Sequence, residues 1–291
     1  MRWISLLLFV NCLWSETVQD KVQARIAGFP ATVSVYAKNL DTGAIVDIRG
    51  AEPVRTASTI KLPILCTVAD AVAKGQAKWT EPLTVRAVDK ASGSGVIASE
   101  ISNGVQLPLS DVAHLMIVLS DNSATNMILD RFSADAVNAY LDRIGLKTTR
   151  SMRKIRGDAM DDTTVGYSAA GKLEDNKKYG LGRSTPRDMV TILERLERGE
   201  IVTPEMSKEI LAILRRCQDD KGIRRHLESL RIANKTGALD ALRADVGIVY
   251  AKTGRIAMAI YVDGMEKPDW SPDNPGLLLI ADIARLLVEG M

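Results

Sequence analysis

The chain reads as an α/β protein of the α+β kind, in which one antiparallel sheet with flanking helices is interrupted by a long helical insertion. Three observations predict this. Two β-type segments stand near the start, a block of helical period fills the middle, and three more β-type segments with a closing helix finish the chain. Connections within each group of strands are short, which makes neighbours antiparallel. The two ends of the chain must therefore meet to complete a single five-stranded sheet.

The N-terminus carries a compartment signal. Arg2 precedes the apolar run Ile4–Val10, small Ser15 offers a cleavage point, and the polar stretch Glu16–Asp20 follows. That pattern describes a secretory signal peptide over residues 1–15, too short to span a bilayer. The mature protein is thus expected to be exported, to a periplasm or the extracellular space. Thr32–Ala37 alternates and is β-branched, and the turn Asn39-Leu40-Asp41-Thr42-Gly43 leads into Ile45–Ile48, which together read as a hairpin. From about residue 58 the period becomes helical, with Leu62, Ile64, Leu65, Val68, Ala69 and Val72 on one face and Gly75 as its stop. Further helices are predicted at 109–119, 123–132, 134–144, 185–198 and 204–216. Strands return at 232–236, 245–250 and 255–262, and a helix over 276–288 closes the chain. Ser151–Gly182, rich in charge and glycine, reads as a long functional or mobile loop. The expected organisation is an α/β lobe from 16–54 and 201–291, an all-α lobe from 55–200, and a ligand cleft between them.

Composition excludes several classes. With 46% hydrophobic and 25% charged residues, the 291-residue chain is globular rather than disordered. A net charge of +2, from 38 basic and 36 acidic residues, gives no field that would gather nucleic acid or anionic membrane. The basic cluster Arg150, Arg153, Lys154 and Arg156 has no aromatic within it, so no nucleic-acid partner is expected. No other run approaches the ~20 apolar residues of a spanning helix. His114 and His226 lack ligand spacing, so neither a metal nor a cofactor is expected. A monomer acting on a small molecule is the simplest reading. In the mature chain Cys66 and Cys217 remain, either paired in an oxidising compartment or as two buried thiols.

Three short motifs carry the chemistry. Ser58-Thr59-Ile60-Lys61 opens the first long helix and sets an amine one turn from a hydroxyl, where a lysine of lowered pKa can take the serine proton. Taken alone, the spacing also fits an N-cap serine with a solvated lysine. Ser120-Asp121-Asn122 falls in the break between two helices, where it could simply cap. Its functional reading gives Ser120 a proton to relay to a leaving nitrogen, and Asn122 an amide that binds substrate or orients Lys61. Lys235-Thr236-Gly237 ends a strand, with a cation for a substrate carboxylate and for tuning Lys61, and a glycine that admits close backbone approach. A second Lys-Thr-Gly at 252–254 lies in a hairpin turn and is assigned no function.

In this order and context the three motifs resemble the class A β-lactamase family, within the wider β-lactamase/transpeptidase fold. Gly93-Ser94-Gly95-Val96, Leu115–Leu119 and Ser184–Met189 resemble further family segments. The resemblance implies catalysis by Ser58, Lys61, Ser120 and Lys235 through a serine acyl-enzyme, with substrate held by Asn122, Thr236, Gly237 and Ala238. It also implies an oxyanion hole from the N–H groups of Ser58 and Ala238, and a share for Arg243 in holding the substrate carboxylate. Its substrates would be β-lactams, or peptidoglycan peptides if the chain is instead a D-alanyl-D-alanine peptidase or esterase on the same scaffold. A slowly deacylating penicillin-binding sensor is the third alternative.

The pattern departs from the family at one place. The Glu-x-x-Leu-Asn segment, whose glutamate activates the deacylating water, has no counterpart here, and its expected place falls near Ile155 in Arg153–Asp158. Asp158, Asp161, Asp162 and Glu174 are the carboxylates nearby in sequence. Acylation needs none of them; turnover does.

Overall fold

The computed structural model describes residues 16–157, 159–161 and 163–291. The leader assigned to residues 1–15, and the carboxylates of Asp158 and Asp162, lie outside the described residues. Five strands, β1 (Thr32–Asn39), β2 (Ile45–Ile48), β3 (Arg231–Leu239), β4 (Leu242–Ala251) and β5 (Gly254–Asp263), form one sheet in the order β2-β1-β5-β4-β3. Every pairing is antiparallel, and β1 closes against β5 from Thr32↔Asp263 to Asn39↔Ile256. The ends of the chain thus meet as the strand pattern requires. β3 and β4 run further than predicted, joined by a tight turn at 240–241. The polar residues Arg243 and Asp245 interrupt the apolar pattern there, yet both are buried and hydrogen-bonded.

Among the described residues the longer helices that position the rest are α1 (Val18–Ile26), α2 (Lys61–Ala73), α3 (Leu109–Val118), α4 (Asn122–Phe132), α5 (Ala134–Arg143), α6 (Pro186–Glu197), α7 (Pro204–Leu214) and α8 (Pro275–Gly290). Alternation along β5 divides the core in two. Ile256, Met258, Ile260 and Val262 pack with Val22 of α1 and Leu279, Ile283 and Leu287 of α8. Ala257, Ala259 and Tyr261 face the other way, into the larger cluster built by α2 to α7. The sheet is therefore covered on both faces, which is why its central strands read as nearly continuous apolar runs.

Helix α1 stands where the sequence reads as a polar mature start. Only Val18, Val22 and Ile26 are apolar at helical spacing, and a Thr17–Asp20 capping box closes the first turn. Residues 151–182 are anchored at both ends: Arg150–Ser151, Gly182–Ser184 and Val54–Arg55 make a small antiparallel sheet with 182–184 in the middle. Within the segment Lys154 is buried, its Nζ 3.2 Å from Asp130, and Met160 and Val165 are buried too. Cys66 and Cys217 are both free and buried, and burial pushes the Cys66 thiol up to about 12. No helix of the described residues is long and apolar enough to cross a membrane.

Candidate active site

The three motifs converge. Ser58 does not open the α-helix itself; it lies in a 3₁₀ turn, Ala57–Ile60, that leads into α2 at Lys61. The tighter winding eclipses residues three apart, so Ser58 and Lys61 stand one above the other. The turn is entered through Ala57 at φ 45°, a left-handed conformation that costs a non-glycine residue roughly 1–2 kcal/mol. The N-cap alternative for Ser58 does not describe what is seen, because the turn carries no side-chain cap and Lys61 is fully buried rather than solvated.

Lys61 Nζ donates to the Ser120 carbonyl at 2.7 Å, to Asn122 Oδ1 at 3.0 Å and to Ser120 Oγ at 3.2 Å. Lys235 Nζ donates to the same Ser120 Oγ at 3.0 Å and to the Thr236 carbonyl at 2.9 Å. Two amine donors therefore occupy the acceptor side of the Ser120 hydroxyl, which leaves its own proton to point elsewhere. Burial pushes the Lys61 pKa well below the usual lysine range, and the Lys235 charge lowers it further against the opposing pull of Asp121. Lys235 is lowered as well, chiefly by burial.

The middle motif divides its labour. Ser120 sits at φ 53°, the second strained non-glycine residue beside the reacting groups. Asp121, fully buried, is structural: Oδ1 caps α4 by accepting from Ala124 N at 2.8 Å, and Oδ2 accepts from Val96 N at 2.7 Å and Ile97 N at 2.9 Å. It thereby fixes the 93–97 loop against the site, and a side chain at Gly95 would overlap it. Asp121→Ala leaves three backbone donors without a partner and is expected to cost about 3–5 kcal/mol, a melting temperature lower by about 10 °C. Calorimetry checks this.

Asn122 is fixed from both ends of its amide, accepting from Lys61 and donating to the Ser92 carbonyl at 2.7 Å. Asn122→Asp would place a carboxylate against Lys61 and raise its pKa. With Lys61 as the proton acceptor for Ser58, only its neutral form serves, so acylation is expected to rise as pH rises through that pKa and the rising limb to move up by about one pH unit or more. The falling limb, set by loss of the Lys235 proton, should move far less. A pH profile of acylation measures both.

On β3 the Lys-Thr-Gly motif lies inside the strand rather than at its end, on the edge of the sheet. The close approach that Gly237 permits is that of the turn carrying Ser58. A Cβ there would stand 2.8 Å from the Thr56 carbonyl oxygen and 3.2 Å from Ser58 N. Ser58, Ser120, Asn122, Thr236, Gly237 and Ala238 line one cleft of about 300 Å³. Lys61 and Lys235 lie beneath it. Arg243 also lines the cleft, but its guanidinium donates to the carbonyls of Leu239, Leu242 and Asp269 and lies over the Trp270 ring.

The cleft is also lined by residues that no motif marks, among them Asp219, Lys221, Trp270 and Ser271. They come from irregular segments with no motif or period, so nothing in the sequence marks them. The weak deacylation candidates fare differently. Asp161 accepts from Thr163 and Thr164 in its own exposed turn, which lowers its pKa and makes it a poor base, and Glu174 is exposed and paired with Lys177 at 2.5 Å. Neither lines the cleft. Ile155 occupies the expected place, its N–H donating to Asn126 Oδ1 at 2.8 Å and its carbonyl accepting from Asn126 Nδ2 at 2.8 Å.

A family model described as the beta-lactamase enzyme family matches residues 17–291. The chain belongs to this family. Among solved structures it is similar to a β-lactamase from Sphaerobacter thermophilus, at 29% identity and a TM-score of 0.77 over 92% of this chain and 94% of that one. It is equally similar to PBP-A, at 30% identity and a TM-score of 0.78 over 94% of both chains. A leucine-to-glutamate mutant of PBP-A, solved as an acyl-enzyme complex with penicillin G, aligns at 29% identity and a TM-score of 0.77, over 94% of this chain and 95% of that one. No curated protein matches the chain. Family membership and these structures establish the β-lactamase/transpeptidase-like fold and a serine-hydrolase scaffold, in which the five-stranded sheet carries Lys235 and the helices carry Lys61 and Asn122.

Proposed function

We propose that the chain opens β-lactam amides through an acyl-enzyme on Ser58 and releases the acyl group slowly. The observation that carries this reading is the buried pair of lysines sharing Ser120 Oγ, with Lys61 one turn from Ser58. Neutral Lys61 takes the Ser58 proton as Oγ attacks the lactam carbonyl. The developing oxyanion faces the Ser58 N–H and the 237–238 segment of the edge strand. Ser120 passes its proton to the leaving nitrogen and takes in its place the proton that Lys61 accepted, 3.2 Å away, while Lys235 with Thr236 holds the carboxylate. Slow release follows from the apolar Ile155 where the family's glutamate would activate water. The acyl-enzyme of the leucine-to-glutamate mutant of PBP-A with penicillin G supports covalent capture of a penicillin on this scaffold.

The likeness to PBP-A and the absence of the glutamate also favour a second reading, a D-alanyl-D-alanine peptidase or esterase on peptidoglycan peptides. With a leader over residues 1–15, either reaction would take place outside the cytoplasm, which fractionation of the native host would test. Incubation with a fluorescent penicillin followed by peptide mapping tests the main reading. The label is expected on the peptide containing Ser58; an unlabelled intact protein would overturn the acyl-enzyme. Release of D-alanine from a muropeptide, with no acylation by penicillin, would favour the peptidase.

A further inference from the structure

Trp270 is the most exposed large apolar side chain in the described structure, at 64%, and it lines the same cleft as Ser58. A tryptophan left in water beside a reactive serine calls for a reason. Its loop is not loose. Gly264 N and Met265 N both donate to the Ala241 carbonyl, tying the loop to the β3–β4 turn. At the far end Asn274 caps α8 and donates from Nδ2 to the Asp269 carbonyl at 2.8 Å. Asp269 Oδ1 accepts from Ser271 N at 2.8 Å, closing a turn around Trp270 itself.

Arg243 completes the arrangement. Its guanidinium is held by three carbonyls, one of them that of Asp269, and lies 4.6 Å from the centre of the Trp270 ring. One face of the indole is thus covered by an immobilised cation. The ring is presented at a fixed angle, and little further ordering is needed when a planar group meets it. Arg243 pairs across the sheet with Ala238, two residues beyond Thr236. The shelf therefore stands on the side of the cleft where Lys235 and Thr236 would hold a carboxylate.

We propose that Trp270, braced by Arg243, is a specificity-determining residue that stacks on a planar, aromatic substituent borne next to the carboxylate of the substrate. This rests on the acyl-enzyme reading of Ser58 and adds a substrate class to it: lactams or esters with a flat apolar group on the carboxylate side acylate Ser58 faster than the same compounds without one. Aromatic contacts of this kind are worth about tenfold in rate.

The test uses two cephalosporins identical except at the ring carbon beside the carboxylate-bearing carbon, one with a vinyl and one with a styryl group. Second-order rate constants for acylation are measured by intact mass. Wild-type protein is expected to prefer the styryl compound by about tenfold, Trp270→Ala to reduce the ratio to about one, and Trp270→Phe to keep most of it. A melting curve for each variant confirms folding, and the ratio within each variant cancels any general loss of rate. Equal rates for the wild type, or a preference that survives in Trp270→Ala, would overturn the shelf while leaving Ser58 acylation standing. No acylation of the wild type by either compound would overturn the Ser58 reading, and the shelf with it.

Discussion

Replacing Lys61 with alanine or methionine is expected to slow acylation of Ser58 by about 10³-fold or more. Methionine keeps most of the buried volume, so a loss in that variant separates chemistry from collapse of the site. Lys61→Arg sharpens the test. Arginine retains the positive charge but cannot deprotonate at any working pH, so it should fail almost as completely as alanine if Lys61 is the base. Were Lys61 only an electrostatic support for Ser120 and Asn122, arginine would recover much of the rate. Stopped-flow or mass-spectrometric acylation rates distinguish the two. The depressed pKa of Lys61 sets the direction of the pH effect: the more of the amine is neutral, the faster the wild type reacts, until Lys235 begins to lose its own proton.

The second large effect lies on the other side of the acyl-enzyme. Asn122 and Asn126 are four residues apart on α4 and so share one helical face, about 5–6 Å apart at Cβ. Asn122 holds Lys61, and Asn126 grips the backbone of Ile155 on both its N–H and its carbonyl. Residue 155 is therefore held by the asparagine one helical turn along from the one that holds Lys61. Ile155→Glu should supply a carboxylate able to activate water there and shorten the lifetime of the penicillin adduct by about 10²-fold or more. Acylation should change far less, because none of its groups is altered. An adduct lifetime unchanged from wild type would mean that the Asn126 clamp does not deliver residue 155 to the acyl group.

Much of this was legible from the amino-acid order because the relevant signals are local. The strands announce themselves by β-branched alternation and short turns, and the closure of β1 on β5 follows from the sheet needing one continuous ladder. Ser58, Lys61, Ser120 and Lys235 stand out through short motifs of fixed spacing, although Lys235 lies within its strand rather than at its end. What stayed hidden depends on contacts distant in sequence. Asp121 looks like a member of a catalytic triplet, yet its carboxylate is spent on Val96, Ile97 and Ala124. Gly237 looks like a ligand-approach glycine, but the Thr56 carbonyl and the Ser58 turn lie against it. Helix α1 carries only Val18, Val22 and Ile26 as large apolar residues amid charge, and its stability comes from packing on α8, which a local window does not see. Trp270 sits in a proline-rich loop whose significance appears only when Arg243 arrives from the sheet.

The central claim is that Ser58 is acylated quickly and freed slowly. The most direct measurement is the intact mass of the protein followed in time after a brief exposure to penicillin G and removal of the excess. The expected result is an added mass of one penicillin on wild type within minutes, mapped to Ser58, absent from Ser58→Ala and persisting for hours. No adduct on the wild type, or an adduct retained by Ser58→Ala, would contradict the account of the nucleophile; an adduct on Ser58 that disappears within seconds would contradict the account of its release.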